Sequence, residues 1–121
     1  MTLNAELILH RYAGLRRAKI AAYEAAEQEA VARYTFETRR VAGLLDGTIA
    51  GRNETERDAK AREVLAEQWD ELQMCGAEAR EAKHHVDLAA LAVDEVRALL
   101  RLAELAAYVP AGLTQPSHNG G

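Results

Sequence analysis

Apolar residues recur at helical spacing along nearly the whole chain, and no proline interrupts them before Pro110. In the N-terminal half two rows repeat every 11 residues, which is close to the natural turn of a straight helix: Leu9, Ile20, Val31 and Ala42, and Tyr12, Tyr23, Tyr34 and Leu45. In the C-terminal half the repeat is seven residues, as in helices packed along a seam: Leu65, Leu72, Ala79, Val86, Val93 and Leu100, with Ala61, Gln68, Cys75, Ala82, Ala89, Val96 and Ala103 in the alternate row. Both patterns predict long α-helices.

Capping signals set the expected bounds of two helices. Asn4 is a good N-cap for the first, and Gly47 fits the left-handed residue that often follows a helix. Asn53 and Glu56 form a capping-box pattern for the second, and Pro110 is expected to stop it. The sequence therefore predicts one helical domain over 1–108, with a helix over 4–45, a turn over 46–53, a helix over 54–107 and a flexible C-terminal tail over 109–121.

The composition indicates a small core. Alanine supplies much of the 49% apolar share and aromatic residues only 5%, so a single hairpin buries little area and needs a partner. The predicted fold class is all-α: a long, coiled-coil-like antiparallel two-helix hairpin that assembles into an oligomeric helical bundle. Ile49 is expected to fold back as an apolar plug over the turn. The alternatives are a break at Gly76, which gives three helices, or bends at Gly14 and Gly43.

The two helices differ in expected length. The tyrosine row of the first helix is expected to pack, large against small, on the small-residue seam of the second. Equal advance of both helices from the turn leaves segment 96–108 beyond the end of the first helix. This segment is apolar on most sides, which marks an interface. The predicted oligomer interface comprises Leu3, Leu7, Leu88, Leu91, Val96, Leu99, Leu102 and Leu105.

Charge and cysteine content narrow the class of protein. The net charge of -4, with both signs interspersed, argues against nucleic acid as the partner. No apolar run approaches the ~18 residues of a membrane span and no signal peptide is visible, so a cytoplasmic protein is expected, in the host cell if the protein is viral. Cys75 is the only cysteine, and its place on the seam predicts a buried structural thiol.

Glu81 and His84 form the one metal-like pair, three residues apart on one helix face, as in di-iron four-helix bundles. Such a site needs a glutamate from the facing helix. Equal advance places residues 15–18 there, which include Arg16 and Arg17, so salt bridges are predicted instead of a metal. We predict no metal and no cofactor; a di-iron, ferritin-like oxidase formed across a dimer stays an alternative.

The turn contains a candidate anion site. Arg52 and the backbone amides around Asn53 lie at a helix N-terminus, where anions bind, and Arg16 and Arg17 are further candidates. Capping by Asn53 and Glu56 would occupy the same amides. The sequence shows neither a nucleophile–base pair nor a phosphate-binding loop, so no catalytic residue is predicted.

The turn and its flanks read Leu44-Leu45-Asp46-Gly47-Thr48-Ile49-Ala50-Gly51-Arg52-Asn53-Glu54, followed by Arg57 and Ala59. This stretch resembles a pattern in short helical accessory proteins of tailed bacteriophages, in which an apolar helix end leads to Gly-x-Ile-x-Gly-Lys/Arg-Asn. The similarity is tight over 44–59 and loose over 30–105. It implies a viral protein with a helical hairpin, and it implies no enzyme, because most such proteins have no assigned activity.

These observations favour a non-catalytic, oligomeric helical protein, encoded by a phage, that acts by protein–protein binding. Its expected partners are further copies of itself and a host or phage protein, and inhibition of a host defence system is one version of this function. The alternative is an oligomer that sequesters an anionic small molecule such as a nucleotide signal.

Overall fold

The computed structural model describes residues 4–113, and it describes side chains over residues 4–108. Three helices make up this part of the chain: α1 (Ala5–Asp46), α2 (Glu54–Val64) and α3 (Ala66–Leu113). The predicted all-α class is therefore confirmed. The chain divides into two compact units. We call Lys19–His84 the turn unit, and the described residues before and after it the terminal unit.

The second predicted helix is divided at Leu65 and not at Gly76. Leu65 has φ -107° and ψ 41°, outside the helical range. Its N–H still donates to the Ala61 carbonyl at 2.8 Å, and its carbonyl accepts from the Trp69 N–H at 2.8 Å. The prediction of one continuous second helix is thus wrong at a single residue. Leu65 and Trp69 both pack against the core, so tertiary packing outweighs the helix propensity on which the prediction rested.

Pro110 does not stop α3, which continues to Leu113. The predicted end at residue 107, with a tail from 109, is therefore incorrect for residues 108–113. Proline has a helix-compatible φ and costs the helix one N–H donor, so it need not end a helix at once. The rest of the predicted tail lies outside the described residues.

The core of the turn unit is small and lies close to the turn. Its buried residues are Ala32, Phe36, Ile49, Ala61, Leu72 and Cys75, with Leu44, Leu65 and Trp69 packed against them. The rings of Phe36 and Trp69 have centroids 5.3 Å apart and are tilted by 53°. The Arg62 guanidinium lies 4.6 Å from the centre of the Trp69 ring and forms a cation–π contact with it. Arg40 pairs with Asp58 at 2.7 Å.

The heptad seam predicted for the second helix is confirmed by burial. In the turn unit Ala61, Leu72 and Cys75 are buried, and the remaining seam positions are partly buried. The residues on the buried face of α1 also recur every seven positions. Its buried or half-buried members are Ala25 and Ala32 in one row and Ala22, Glu29, Phe36 and Gly43 in the other.

The 11-residue rows of α1 are exposed, so the prediction that the tyrosine row packs on the small-residue seam is wrong. In the turn unit the rows consist of Ile20, Val31 and Ala42, and of Tyr23, Tyr34 and Leu45. Tyr34 is 73% exposed and Val31 65% exposed. An 11-residue repeat drifts relative to a heptad seam, whereas a heptad face stays in contact with it along the helix.

In the terminal unit Val93 and Val96 are 2% and 0% exposed. The Tyr12 hydroxyl accepts a hydrogen bond from Arg97 Nε at 3.3 Å. Val96 therefore belongs to the core of this unit, and its prediction as an interface residue is wrong. The exposed end of α3 begins later than the predicted residue 96, since Val96 is buried and it is over 101–108 that every residue is exposed.

Contacts near the turn show how the helices pair in the turn unit. Arg40 contacts Asp58 before the distortion at Leu65, whereas Phe36 contacts Trp69 after it. Phe36 also belongs to the same buried cluster as Ala61, so its ring packs with residues on both sides of Leu65. Equal advance of both helices, which the sequence predicted, is therefore not kept over this part of the turn unit.

The turn is closed by Ile49, as expected. Gly47 ends α1 with φ 85°, a left-handed conformation that favours glycine. The Ile49 N–H then donates to the Gly43 carbonyl at 3.0 Å, and the Ile49 side chain is 2% exposed. A Cβ atom at Gly43 would lie 2.6 Å from Ile49 Cδ1. Gly43 therefore provides the space that Ile49 fills.

We predict that Ile49→Ala lowers the free energy of unfolding by about 2–4 kcal/mol, because it leaves a cavity against α1. Gly43→Ala should lower it by about 1–3 kcal/mol through the clash with Ile49. In the Ile49→Ala background the same Gly43→Ala change should cost much less, since the methyl group enters the vacated space. Urea unfolding of the four proteins measures this coupling; additive effects would contradict it.

Candidate functional site

The turn is held by hydrogen bonds between neighbouring residues. Asn53 caps α2, and its side chain accepts from the Glu56 N–H at 2.9 Å. Glu56 Oε2 accepts from the Arg52 N–H at 2.8 Å. The Asn53 bond confirms the predicted N-cap, whereas the Glu56 carboxylate bonds the N–H of the residue before the cap and not that of Asn53, as a capping box would. At the other end of the turn, Asp46 Oδ1 accepts from both the N–H and the hydroxyl of Thr48, at 2.9 Å and 2.6 Å.

The candidate anion site in the turn already contains a carboxylate. The Arg52 guanidinium donates to Glu56 Oε1 at 2.9 Å, in addition to the backbone bond. These two contacts, the side-chain bond first, hold the pKa of Glu56 below its ordinary value of 4.5. Arg16 and Arg17 are exposed residues of α1 in the terminal unit. Hence the four predicted anion-binding residues do not gather within either unit.

Glu81 and His84 are exposed residues of α3 in the turn unit, and residues 15–18 belong to the terminal unit. The expected pairing of Glu81 and His84 with Arg16 and Arg17 stays a prediction. Among the described residues, no group of three or more His, Cys, Asp and Glu side chains could hold a metal ion.

Cys75 is buried in the core of the turn unit, as predicted. Burial raises the pKa of its thiol above 9.0, and so do its hydrogen bond to Glu71 and the negative charges of Glu71, Glu78 and Glu29. The Sγ atom lies 3.5 Å from Glu71 Oε1. A thiol that stays protonated is a poor nucleophile, so Cys75 acts as a small apolar core residue.

Part of the predicted oligomer interface is exposed on α3 in the terminal unit. Leu88, Leu91, Leu102 and Leu105 are between 50% and 63% exposed. Their spacing of three or four residues, continued through Glu95 and Ala98, places them along one side of the helix. We call these four leucines the α3 surface.

The other residues predicted for the oligomer interface have different environments. Leu7 and Leu99 are half-buried, and Val96 is buried in the terminal unit. Leu3 lies outside the described residues. The prediction therefore found four exposed leucines and included one core residue. Val96 occupies the alternate row of the heptad seam, and this position was the signal that separates it from the leucines.

Sequence reasoning missed a second exposed apolar row, on α1. The 11-residue rows were assigned to the core because their residues are large. The signal that would have placed them outside was the mismatch between their period and the heptad period of the facing helix. Alanines at heptad spacing on the same helix supplied a face that fits the seam.

Within the described residues, no helix is long and apolar enough to cross a membrane. No protein-family model, curated protein or solved structure matches the chain. The function is therefore argued from the geometry of the exposed surfaces.

We predict that Glu56 makes stability depend on pH in the acid range. Its folded pKa lies below the unfolded one, so its contribution is complete above about pH 4.5 and is lost as the pH falls through the folded pKa. Between pH 7 and pH 3 the wild type should lose more stability than Glu56→Gln, which keeps an acceptor for the Arg52 N–H. Glu54→Gln removes a charge from the same helix end as a control. Urea unfolding at each pH measures the free energy of unfolding. If this free energy depends on pH equally in the wild type and in Glu56→Gln, the proposed role of Glu56 is contradicted.

Proposed function

We propose that this protein is a non-catalytic, oligomeric helical protein that acts by protein–protein binding. The observation that supports it is the α3 surface, four leucines along one side of a helix whose opposite side holds the buried Val93 and Val96. A row of large apolar side chains on an exposed helix face is typical of a protein interface. The copies of the chain join through this surface in our proposal.

The small core supports self-association as well. Among the residues whose side chains the structure describes, eight apolar ones are buried, and two of these are alanines. Contact between copies would remove the leucines of the α3 surface from water. Each Å² of apolar area removed in this way contributes ~25 cal/mol of stabilising free energy. Association therefore supplies stabilisation that the two units lack individually.

We further propose that the protein is encoded by a tailed bacteriophage and that the oligomer binds a host or phage protein, with inhibition of a host defence system as one form of this activity. The support is the turn pattern over 44–59, in which Gly47, Ile49 and Asn53 each have a structural task. The surfaces that remain available for a partner are those of helices. A partner of this kind would present an apolar groove or helix face of its own.

The test compares two variants with the same change in charge. Leu102→Glu/Leu105→Glu places two carboxylates on the α3 surface, whereas Arg101→Glu alters charge in the polar stripe that borders this surface. We expect the leucine variant to weaken assembly at least tenfold, because carboxylates cannot enter an apolar contact without a large desolvation cost. Arg101→Glu should assemble like the wild type.

Size-exclusion chromatography with light scattering, over a concentration series, measures this difference. Affinity capture from host lysate with the same three proteins extends the test to the partner. A wild-type monomer at micromolar concentration, or equal assembly of the two variants, would contradict the proposal.

A further inference from the structure

In the turn unit α1 has two faces. One carries Ala32, Phe36 and Gly43, which are buried against α2, α3 and the turn. The opposite face is exposed, and we call it the α1 stripe; it consists of Ile20, Tyr23, Val31, Tyr34, Ala42 and Leu45. Scattered exposed apolar residues are ordinary, but three apolar pairs that recur every 11 residues on one helix face, with Glu27 and Thr38 between them, are not. This row spans about 39 Å of helix at ~1.5 Å per residue.

We infer that a second copy of this chain covers the α1 stripe, in an antiparallel pairing of α1 with α1 whose twofold axis passes between Ala32 and Arg33. The occupant is argued from the spacing of the apolar rows and from the charges beside them. The apolar contacts and the charges lead to the same register.

The apolar rows are complementary to themselves in this register. Because both rows repeat every 11 residues, the twofold axis exchanges one row with the other. Val31 meets the partner's Tyr34 at the centre. Tyr23 meets the partner's Ala42, and Ile20 meets the partner's Leu45. Each layer therefore combines a residue of one row with a residue of the other, and Tyr23 packs large against small.

The polar residues beside the stripe are complementary in the same register. Glu24 lies beside the partner's Arg39, and twofold symmetry makes this contact twice. Gln28 lies beside the partner's Thr35, where an amide and a hydroxyl can hydrogen-bond. Glu27, on the stripe itself, faces the partner's Thr38. Thr35 is half-buried and lines a cleft together with Glu67, Gln68 and Glu71 of the facing helix, whereas the other five residues are exposed.

Other arrangements of the same two helices are disfavoured by charge. A parallel pairing in register places Glu27, at the centre of the contact, against its own copy, and like charges at close contact repel. An antiparallel pairing shifted by one 11-residue repeat toward the N-terminus places Glu27 against the partner's Glu27. The register centred between Ala32 and Arg33 avoids both contacts.

This inference goes beyond the proposed function and does not rest on it, because the α1 stripe and the α3 surface belong to different helices. The two can fail separately. In the Leu102→Glu/Leu105→Glu background the α1 pairing should persist and give a dimer. If the α3 surface also joins copies, the wild type should form a larger assembly than that variant.

Disulfide crosslinking tests the register. Two proteins carry one new cysteine each, Ile20→Cys or Leu45→Cys, in a Cys75→Ala background that removes the native thiol. Both new positions are exposed, so folding should be unaffected, which circular dichroism checks. Under mild oxidation we expect each protein alone to stay uncrosslinked and the mixture to give a disulfide-linked heterodimer on a non-reducing gel.

The same experiment can overturn the inference. A parallel pairing would crosslink each protein with itself. A shift by two repeats toward the N-terminus would bring Ile20 close to the partner's Ile20 and crosslink that protein alone. Absence of a crosslink in the mixture would equally contradict the pairing.

Charge exchange gives an independent test in the Leu102→Glu/Leu105→Glu background. Arg39→Glu should weaken the dimer about tenfold, since two ion pairs become two repulsions. The double change Glu24→Arg/Arg39→Glu should restore it, whereas Glu78→Arg/Arg39→Glu should not. Analytical ultracentrifugation provides the dissociation constants. Equal affinity of the single and exchanged variants would contradict the proposed contact between Glu24 and Arg39.

Discussion

The structure depends on close contact between small residues of α1 and the heptad seam of the facing helices. In the turn unit Ala32 and Gly43 of α1 are buried, as are Ala61 and Gly76 on the other side. A Cβ atom at Gly76 would lie 3.0 Å from the Glu29 carboxylate, so Gly76 leaves space for the end of this α1 side chain. Small side chains permit this close contact, but they remove little apolar area from water.

The large apolar residues consequently lie in two places. Phe36, Trp69 and Ile49 cluster near the turn, where they form most of the core of the turn unit. Most other large apolar side chains remain on the outer faces of α1 and α3. A long helix with a small-residue inner face and a large-residue outer face is suited to association, since the area that stabilises it most is still exposed. The proposed oligomer and the proposed α1 pairing both follow from this division.

The turn is stabilised by its own residues. Ile49 fills the space above Gly43, Asn53 caps α2, and Glu56 bonds both the backbone and the guanidinium of Arg52. A carboxylate from the chain thus occupies the position at which an external anion would bind. The pattern over 44–59 can therefore be explained by the folding of the turn alone, without a ligand.

The sequence by itself determined the helices, the N-cap at Asn53, the buried seam of α3 and the docking of Ile49, because each of these follows from local hydrogen bonding or from periodicity within one helix. It also identified the exposed leucines of the α3 surface. Only the tertiary structure decided which face of α1 packs inward and which residues of α3 it meets. Both the alanine face and the tyrosine row of α1 could pack on the seam of the facing helices. The alanine face does so because its period matches that of the seam, and this match depends on two helices and not on one. The distortion at Leu65 is likewise not visible in the pattern of the second helix alone.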